Sequence, residues 1–254
     1  MSDNLTRDGF LGGRLHLWQP ARGYRAGVDP VLLAAAVPAR SGQSVLDLGC
    51  GVGAAALCLA ARVPDLRLTG VERQADYADL ARRNAEAAGA RMEVHVADLA
   101  DLPRALRAQS FDHVIANPPY FDAAARKPAP DAGREAARAG ETPLSVWLDC
   151  ASRRLAPSGY LHVIQRAQRL PDLLCGLPPS LGSLEVLPLA ARDGRAPDLV
   201  ILRARKGGRG AFRLHAALIL HEGARHLRDA ESYRPWAGSV LRDGAALPWP
   251  DRRH

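Results

Sequence analysis

A glycine-rich segment directly follows a run of apolar residues early in the chain. The run Ser44–Leu48 ends in Leu-Asp-Leu, and the turn after it contains Gly49, Gly51 and Gly53. Glycine at a strand-to-helix turn lets a ligand approach the backbone, because no Cβ stands in the way. The helix predicted next offers unpaired N–H groups and the positive end of its dipole. The segment Asp47–Gly53 therefore predicts a site for a nucleotide-like ligand.

Acidic side chains follow the next two predicted strands. Glu72 comes directly after the strand 66–71, and Asp98 follows the strand 92–96. Ligands of open parallel sheets bind at the carboxyl ends of the strands, where both acids are expected. Glu72 is placed to accept hydrogen bonds from ribose hydroxyls, and Asp98 from an adenine amino group. By itself, the glycine pattern also satisfies the G-x-G-x-x-G/A signature of dinucleotide-binding proteins.

The tetrapeptide Asn117-Pro118-Pro119-Tyr120 follows a further predicted strand, residues 111–116. The prolines fix φ, keep Asn117 out of the helical region and remove two N–H donors, so the segment offers hydrogen-bond acceptors. The side-chain oxygen of Asn117 and the carbonyl of Pro118 can hold the two hydrogens of a planar amino group, and Tyr120 can stack on its ring. The tetrapeptide predicts catalysis at such an amino group by positioning and electrostatics.

The elements that position these motifs alternate between strands and helices. This alternation predicts a Rossmann-like α/β fold, with a mostly parallel seven-stranded sheet, helices on both faces and an antiparallel hairpin at one edge. Crossovers between the parallel strands are expected to be right-handed. The predicted helices cover residues 54–63, 75–88 and 144–155, and the predicted strands cover residues 44–48, 66–71, 92–96, 111–116, 160–165, 184–189 and 199–204.

The chain is expected to form a single domain over residues 1–254. Residues 1–42 would lead into the ligand site, residues 43–206 would form the Rossmann-like core, and residues 207–254 would be a C-terminal extension. Residues 122–142 are rich in Ala, Arg, Pro and Gly and have no clean period. We expect a long loop or mobile lid there, because long irregular segments in compact domains are usually functional or disordered.

Composition excludes several classes of protein. Of the 254 residues, 47% are apolar and 24% are charged, which excludes wholesale disorder. No uncharged run approaches the roughly 20 residues of a membrane helix, and the N-terminus lacks the order of a secretory signal, so a cytoplasmic protein is expected. The four cysteines lack C-x-x-C spacing and the histidines form no ligand set, so no metal site is expected. The absence of a Gly-x-Ser-x-Gly elbow argues against the commonest hydrolases.

The excess of positive charge is concentrated after the predicted hairpin. The net charge is +7, and the segment 203–213 contains five basic residues and no acidic one. Clustered basic residues bind nucleic-acid phosphates, and an aromatic residue among them can stack on an unpaired base. A solvated loop is the alternative interpretation. The candidate nucleic-acid contacts, which include two arginines beside the ligand site, are Arg22, Arg25, Arg205, Lys206, Arg209 and Phe212.

These motifs resemble those of a known family. The glycine segment resembles the D-x-G-x-G-x-G signature of class I S-adenosylmethionine-dependent methyltransferases, and the tetrapeptide matches that of enzymes acting on amino groups. Gln19–Ala34 is similar to the segment before the donor site in YfiC-like tRNA adenine-N6 methyltransferases, although Val28 stands where they usually have Thr. The resemblance implies S-adenosylmethionine as cofactor and N6-methylation of an adenine in structured RNA, with tRNA as the expected substrate. The implied catalytic residues are Asn117, Pro118, Pro119 and Tyr120, and the implied donor contacts are Asp29, Asp47, Gly49, Cys50, Gly51, Gly53, Glu72, Arg73, Asp98 and Leu99.

Three other functions stay open at this point. A protein glutamine-N5 methyltransferase uses the same tetrapeptide on a side-chain amide, but such enzymes carry a helical domain before the donor fold. Here the first predicted strand begins at Ser44, which disfavours that function. An NAD-dependent oxidoreductase would use the same kind of glycine turn. A non-catalytic RNA-binding protein could also keep this fold.

Overall fold

A computed structural model describes residues 4–120, 142–223 and 232–250. Its strands are β1 (Leu5–Phe10), β2 (Leu15–Pro20), β3 (Ser44–Leu48), β4 (Arg67–Glu72), β5 (Met92–Val96), β6 (Phe111–Ala116), β7 (Leu155–Arg166), β8 (Leu181–Ala190), β9 (Leu199–Lys206), β10 (Arg213–Leu214) and β11 (Leu218–Ile219). Its α-helices are α1 (Asp29–Ala36), α2 (Ala54–Arg62), α3 (Ala75–Ala87), α4 (Arg104–Arg107), α5 (Leu144–Arg154), α6 (Leu170–Cys175) and α7 (Pro235–Asp243).

The main sheet has the strand order β10-β8-β9-β7-β6-β3-β4-β5, with β11 also beside β8. Neighbouring strands are parallel except at β9, which is antiparallel to both β7 and β8. The predicted Rossmann-like fold, with its mostly parallel sheet and its antiparallel hairpin, is confirmed. The two-residue strands β10 and β11 extend the sheet beyond β8, and strands this short have no period that a sequence pattern could show.

Both faces of the sheet are covered, which explains why its central strands are almost wholly apolar. In β3, Val45, Leu46 and Leu48 are at most 1% exposed. Val45 packs in the core that contains Leu57 of α2, on one face of the sheet. Leu46 and Leu48 pack in the core that contains Leu148 of α5, on the other face. This packing fixes the carboxyl ends of β3, β4 and β6 along one edge of the sheet.

An N-terminal hairpin of β1 and β2 precedes this fold and forms a separate antiparallel sheet. Its strands are joined by a short 3-10 turn, Leu11–Gly13, in which Gly12 and Gly13 have φ values of 65° and 89°. Its inner face is buried, with Leu17 and Gln19 at most 1% exposed. Residues 1–42 were predicted only to lead into the ligand site, although the alternation of apolar and polar residues in β2 is a strand signal.

Most of the predicted lid lies outside the described residues, which include only Thr142 of residues 122–142. None of the helices in residues 4–120, 142–223 and 232–250 is long and apolar enough to cross a membrane.

Candidate active site

The turn between β3 and α2 is built from three left-handed glycines. The φ angle is 63° at Gly49, 54° at Gly51 and 85° at Gly53, a region that other residues rarely adopt. A Cβ on Gly49 would lie 2.3 Å from the Trp147 ring, so this glycine permits close packing. Among the described residues, a Cβ on Gly51 would meet only the Tyr24 ring, at 3.9 Å. The backbone at Gly51 is therefore open to a ligand.

Glu72 ends β4 and holds the glycine turn through its carboxylate. The residue is buried, its Oε2 accepts a hydrogen bond from the Gly51 N–H at 3.0 Å, and its Oε1 accepts one from the Gln74 N–H at 2.9 Å. Each carboxylate oxygen has a second acceptor site, so both oxygens can also accept from a ribose hydroxyl. The next residue, Arg73, is exposed.

Asp47 is a buried carboxylate close to the glycine turn. The residue is 3% exposed, and its Oδ2 has no hydrogen-bond partner among the described residues. Burial raises the pKa of Asp47 to about 8; a hydrogen bond from the Ala56 backbone opposes this shift, and the charge of Glu72 adds to it. A buried carboxylate without a counter-charge is the environment that a cationic ligand complements. S-adenosylmethionine carries an ammonium and a sulfonium group, so these residues fit the predicted donor.

The remaining predicted donor contacts at this edge differ in orientation. Cys50 is buried, and its Sγ lies 2.7 Å from where a Cβ on Gly70 would stand, so its side chain faces β4. Only the backbone of Cys50 is available to a ligand in the turn. Asp98 follows β5, where it accepts a hydrogen bond from the Ala100 N–H at 2.9 Å, and both Asp98 and Leu99 are half-buried.

The tetrapeptide leaves β6 at the same edge and is held from two sides. The Asn117 amide donates a hydrogen bond to the Tyr24 hydroxyl at 3.3 Å, which leaves the amide oxygen available as an acceptor. Gln165, fully buried at the end of β7, donates its Nε2–H to the carbonyls of Pro118, at 3.3 Å, and Pro119, at 3.5 Å. A carbonyl oxygen has two acceptor sites, so the Pro118 carbonyl can still accept from a substrate.

Tyr120 is fixed at both its hydroxyl and its ring. The hydroxyl donates a hydrogen bond to the Asp29 Oδ2 at 2.7 Å, and the Arg166 guanidinium lies 5.1 Å from the ring centroid. Burial and the Asp29 carboxylate raise the pKa of Tyr120 above its ordinary value, so the phenol stays protonated and donates. The structure places Asp29, predicted as a donor contact, against the tetrapeptide.

The sequence motifs did not predict three residues of this site, namely Tyr24, Gln165 and Arg166. Gln165 had a detectable signal, because a polar residue that ends a buried parallel strand lies at the ligand-binding edge of the sheet. Tyr24 and Arg166 act through contacts with residues far along the chain, and no local pattern encodes such contacts.

The two N-terminal arginines predicted to contact RNA differ in their surroundings. Arg25 forms an ion pair with Asp8 at 2.7 Å and donates to the Pro20 carbonyl at 3.1 Å. Arg22 is exposed and forms no ion pair with the described residues. Arg25 is therefore already partly neutralised within the hairpin, whereas Arg22 retains its free charge.

The basic stretch 203–213 begins in the last residues of β9 and lies at the opposite edge of the sheet. Arg205 is opposite Tyr160 in the register, and Gln165 of the site is five residues further along β7, about 17 Å away at ~3.3 Å per residue. Arg205 donates to the Ser158 carbonyl at 3.3 Å, and the ammonium of Lys206 donates to the Ser152 carbonyl.

Other members of this stretch differ in exposure. Arg203 is buried and pairs with Glu185 at 2.9 Å, so it adds no charge to the surface. Arg209 and Phe212 are exposed. The structure thus does not bring this stretch to the tetrapeptide.

The buried histidines of β6 and β7 lie close together without forming a metal site. The rings of His113 and His162 have centroids 6.0 Å apart. Burial lowers the pKa of His113 to about 4, and burial also lowers the pKa of His162. Within the described ranges there is no group of three or more His, Cys, Asp or Glu residues that could hold a metal ion.

Comparisons with known sequences identify the family of this chain. The family model described as methyltransferase small domain matches residues 26–187. The chain is 34% identical over 204 residues to the tRNA1(Val) (adenine(37)-N6)-methyltransferase of Actinobacillus succinogenes, covering 78% of this chain and 84% of that relative. It is 38% identical over 178 residues to the protein of the same name from Porphyromonas gingivalis, covering 66% of this chain and 69% of that relative.

Solved structures give the same fold. A crystal structure from Agrobacterium tumefaciens, described as a predicted O-methyltransferase, matches with a TM-score of 0.70 and 29% identity, covering 86% of this chain and 97% of that one. The 16S rRNA N2 G1207 methyltransferase of T. thermophilus, in complex with AdoMet and guanosine, matches with a TM-score of 0.55 and 20% identity over 80% of this chain and 50% of that one, which supports the fold alone. The matched residues 26–187 contain both the glycine turn and the tetrapeptide. This protein therefore belongs to the methyltransferase small domain family, together with the tRNA1(Val) (adenine(37)-N6)-methyltransferases.

Proposed function

We propose that this protein transfers a methyl group from S-adenosylmethionine to the N6 amino group of an adenine in tRNA. The observation that carries the proposal is the position of the Asn117 amide and the Pro118 carbonyl at the same sheet edge as the open backbone of Gly51. The tRNA-modifying relatives support the choice of substrate.

The donor would be held by the glycine turn and by the acids around it. When bound, S-adenosylmethionine supplies a methyl group activated by its sulfonium charge, so neither a metal nor a covalent enzyme intermediate is required. We assign the backbone at Gly49, Gly51 and Gly53 to close contact with this donor. Glu72 accepts hydrogen bonds from its ribose, and Asp47 provides the negative charge that a cationic ligand needs.

The remaining assigned contacts complete this arrangement. Asp98 and Leu99 line the edge beside Glu72, and the Cys50 backbone belongs to the turn itself. Arg73, which is exposed and directly follows Glu72, is assigned as a further donor contact.

The acceptor base would be oriented by the tetrapeptide. The Asn117 side-chain oxygen and the Pro118 carbonyl accept the two hydrogens of the adenine amino group, whose lone pair is otherwise delocalised into the ring. These contacts strengthen as the nitrogen becomes tetrahedral, and only contacts that strengthen in the transition state raise the rate. Gln165 keeps the Pro118 carbonyl in place for this contact. Arg166 covers one face of Tyr120, so the opposite face of that ring is assigned to stacking on the base.

We also propose that the whole chain works as one domain around this site. The support comes from contacts of both ends with the core. Asn84 of α3 bonds to Trp18 of the hairpin at 2.7 and 3.0 Å. The Leu247 N–H donates to the Ala35 carbonyl of α1 at 2.8 Å.

The reaction can be tested with tRNA prepared from a strain that lacks the gene. Purified protein and S-adenosylmethionine should convert adenosine in this tRNA to N6-methyladenosine, detected by mass spectrometry of the nucleosides. The donor site is tested in parallel with Gly51→Val, which should abolish donor binding in calorimetry because the side chain would fill the open turn. Gly42→Val is the matched control, since Gly42 has a similar φ of 82° in the loop before β3 and no atom of the described residues lies within 4 Å of its Cβ position.

Two outcomes would contradict the proposal. Methylation of a protein glutamine amide instead of tRNA would reject the substrate. Donor binding retained by a folded Gly51→Val protein would reject the donor site.

A further inference from the structure

The outer face of the β1–β2 hairpin carries exposed side chains that the proposed site does not use. Because successive residues of a strand point to opposite faces, Arg7, His16 and Trp18 share the face away from the core. Arg7 and His16 are exposed and Trp18 is half-buried. Arg83, exposed on α3, reaches the same face. We call these four residues the hairpin surface.

Trp18 orders two arginines of the hairpin surface. The Arg83 guanidinium lies 4.1 Å from the centroid of the Trp18 ring, and the Arg7 guanidinium lies 6.0 Å from it. A guanidinium stacked on an aromatic face keeps its in-plane N–H groups free for two parallel hydrogen bonds to a phosphate. Stacking also fixes the side chain beforehand, which lowers the entropy lost on binding.

These two arginines are not neutralised by acidic neighbours. Neither Arg7 nor Arg83 forms an ion pair with the described residues, and Asp79, one turn before Arg83, is already paired with Arg82 at 2.6 Å. Ordered and unpaired arginines on one face are complementary to the regularly spaced phosphates of a nucleic acid.

Hydrogen bonds also connect the hairpin surface to the glycine turn between β3 and α2. Asn84, fully buried, accepts a hydrogen bond from the Trp18 N–H at 2.7 Å and donates to the Trp18 and Val52 carbonyls, both at 3.0 Å. Strand β2 then leads within a few residues to Tyr24, whose ring lies over Gly51. A polyanion held on this face is therefore at a fixed position relative to the methyl donor. The basic stretch 203–213 has no such connection, because it lies at the opposite edge of the sheet.

We propose that the hairpin surface is the place where the phosphate backbone of the RNA substrate docks, with Arg7 and Arg83 as phosphate contacts. This inference rests on the proposed function, because it takes structured RNA as the substrate. It assigns to the N-terminal hairpin the role of aligning the RNA, so that the target base reaches Asn117 and Tyr120.

Two double variants with equal loss of charge test the inference. Arg7→Gln/Arg83→Gln neutralises the hairpin surface, and Arg205→Gln/Arg209→Gln is the matched control at the opposite edge. Binding of fluorescently labelled, unmodified tRNA is measured by anisotropy across a series of salt concentrations. The hairpin variant should bind tRNA roughly 10- to 50-fold more weakly near 0.1 M salt, with a salt slope reduced by about 0.7 to 0.9 per lost phosphate contact. Its affinity for S-adenosylmethionine, measured without RNA, should match that of the wild type, which shows that it is folded.

The outcomes separate this inference from the proposed function. Weaker binding by the hairpin variant alone supports the inference. If the hairpin variant keeps wild-type affinity and slope, or if both variants lose affinity equally, the docking surface is assigned wrongly while tRNA methylation by the wild type still stands. If the wild type neither binds nor methylates tRNA, both proposals fail together. Light scattering without RNA tests whether the hairpin surface binds a second copy of the chain. Self-association of the wild type that is absent in the hairpin variant would assign the surface to that contact and overturn RNA docking.

Discussion

Two buried carboxylates in this protein have opposite electrostatic surroundings. Asp47, in the central strand β3, has an oxygen without a partner, and burial raises its pKa to about 8. Glu185, in β8, is buried too, but hydrogen bonds from Arg203, Trp249 and His215 outweigh the effect of burial and lower its pKa to about 2. The two sites contain similar chemical groups, and they differ in whether the protein itself supplies the counter-charge.

This difference separates a ligand site from a structural cluster. Burial of a carboxylate without a counter-charge favours its neutral, protonated form, and the negative charge becomes favourable only when a cationic ligand binds. At Glu185 the protein itself supplies the counter-charge through Arg203. The Arg203 guanidinium also lies over the Trp249 ring, 4.1 Å from its centroid, so the cluster holds the segment around Trp249 against the β8–β9 hairpin. A substitution at Glu185 should therefore lower the free energy of unfolding. A substitution in the candidate active site around Asp47 should instead weaken ligand binding or catalysis.

The largest expected effect is on stability at the compensated cluster. Glu185→Gln leaves the buried Arg203 without a negative partner, which typically costs about 3–5 kcal/mol. Denaturant unfolding at pH 7 should show a loss in this range. Asp149→Asn is the control, because it removes an exposed ion pair with Arg153 (3.0 Å) that should be worth less than about 1 kcal/mol. Equal losses in the two variants would contradict the assignment of Glu185 as the stabilising centre.

The same cluster should make the protein sensitive to acid. A carboxyl group whose pKa is lower in the folded protein than its ordinary value stabilises the fold at higher pH, and this contribution disappears as the pH falls through the folded pKa. For Glu185 the loss should occur between about pH 4.5 and pH 2. Unfolding measured across this interval should be less dependent on pH in Glu185→Gln than in the wild type.

The next largest effect is on catalysis at the tetrapeptide. Asn117→Ala removes a preorganised acceptor for the amino group and should lower the single-turnover rate of methyl transfer roughly 10²- to 10³-fold. The free energy of unfolding should change little, because the Asn117 amide bonds only to the half-exposed Tyr24 hydroxyl among the described residues. A wild-type rate in Asn117→Ala at saturating donor would mean that the tetrapeptide is only a structural turn.

A smaller effect, on donor binding, is expected when the unpaired carboxylate of Asp47 is removed. At pH 7, below its pKa of about 8, Asp47 is mostly protonated in the free protein and should release about one proton when a cationic donor binds. Calorimetry in two buffers of different ionisation enthalpy measures this proton release. Asp47→Asn should abolish the release and weaken donor binding roughly 10- to 100-fold, as expected for a hydrogen bond to a charged group. Proton release that persists in the variant would place the titrating group elsewhere.

The sequence was sufficient to predict the chemistry of the donor and acceptor motifs. The glycine turn and the tetrapeptide are local, because each depends on backbone restrictions of Gly or Pro directly after an apolar strand. The fold class was predictable from local sequence too, because buried parallel strands are continuous runs of apolar residues.

The sequence did not reveal how these motifs are supported. Tyr120 bonds to Asp29, 91 positions away, and Pro118 bonds to Gln165, 47 positions away, and such pairings depend on the packing of whole elements. The placement of Arg205 depends on the direction of β9, which is antiparallel to both β7 and β8. The predicted antiparallel hairpin left open which of its two strands runs against the parallel strands, so the sequence did not place the end of β9 at either edge.

The smallest expected effect is on the rate of methyl transfer when the Tyr120 hydroxyl is removed. If the ring alone serves the substrate by stacking, Tyr120→Phe should keep nearly the wild-type rate. The structure adds a hydrogen bond from the hydroxyl to Asp29, and loss of one such bond costs about 1–2 kcal/mol, or roughly 5- to 30-fold. We therefore expect Tyr120→Phe to slow single-turnover transfer by about this factor with little change in tRNA affinity, whereas Tyr120→Ala should also weaken tRNA binding through the loss of stacking. Asp29→Ala should show a similar loss, and the double variant Asp29→Ala/Tyr120→Phe should be no slower than the slower single variant, because both substitutions remove the same hydrogen bond. Additive losses in the double variant would show that Asp29 acts on the donor independently of Tyr120, as the family resemblance first suggested.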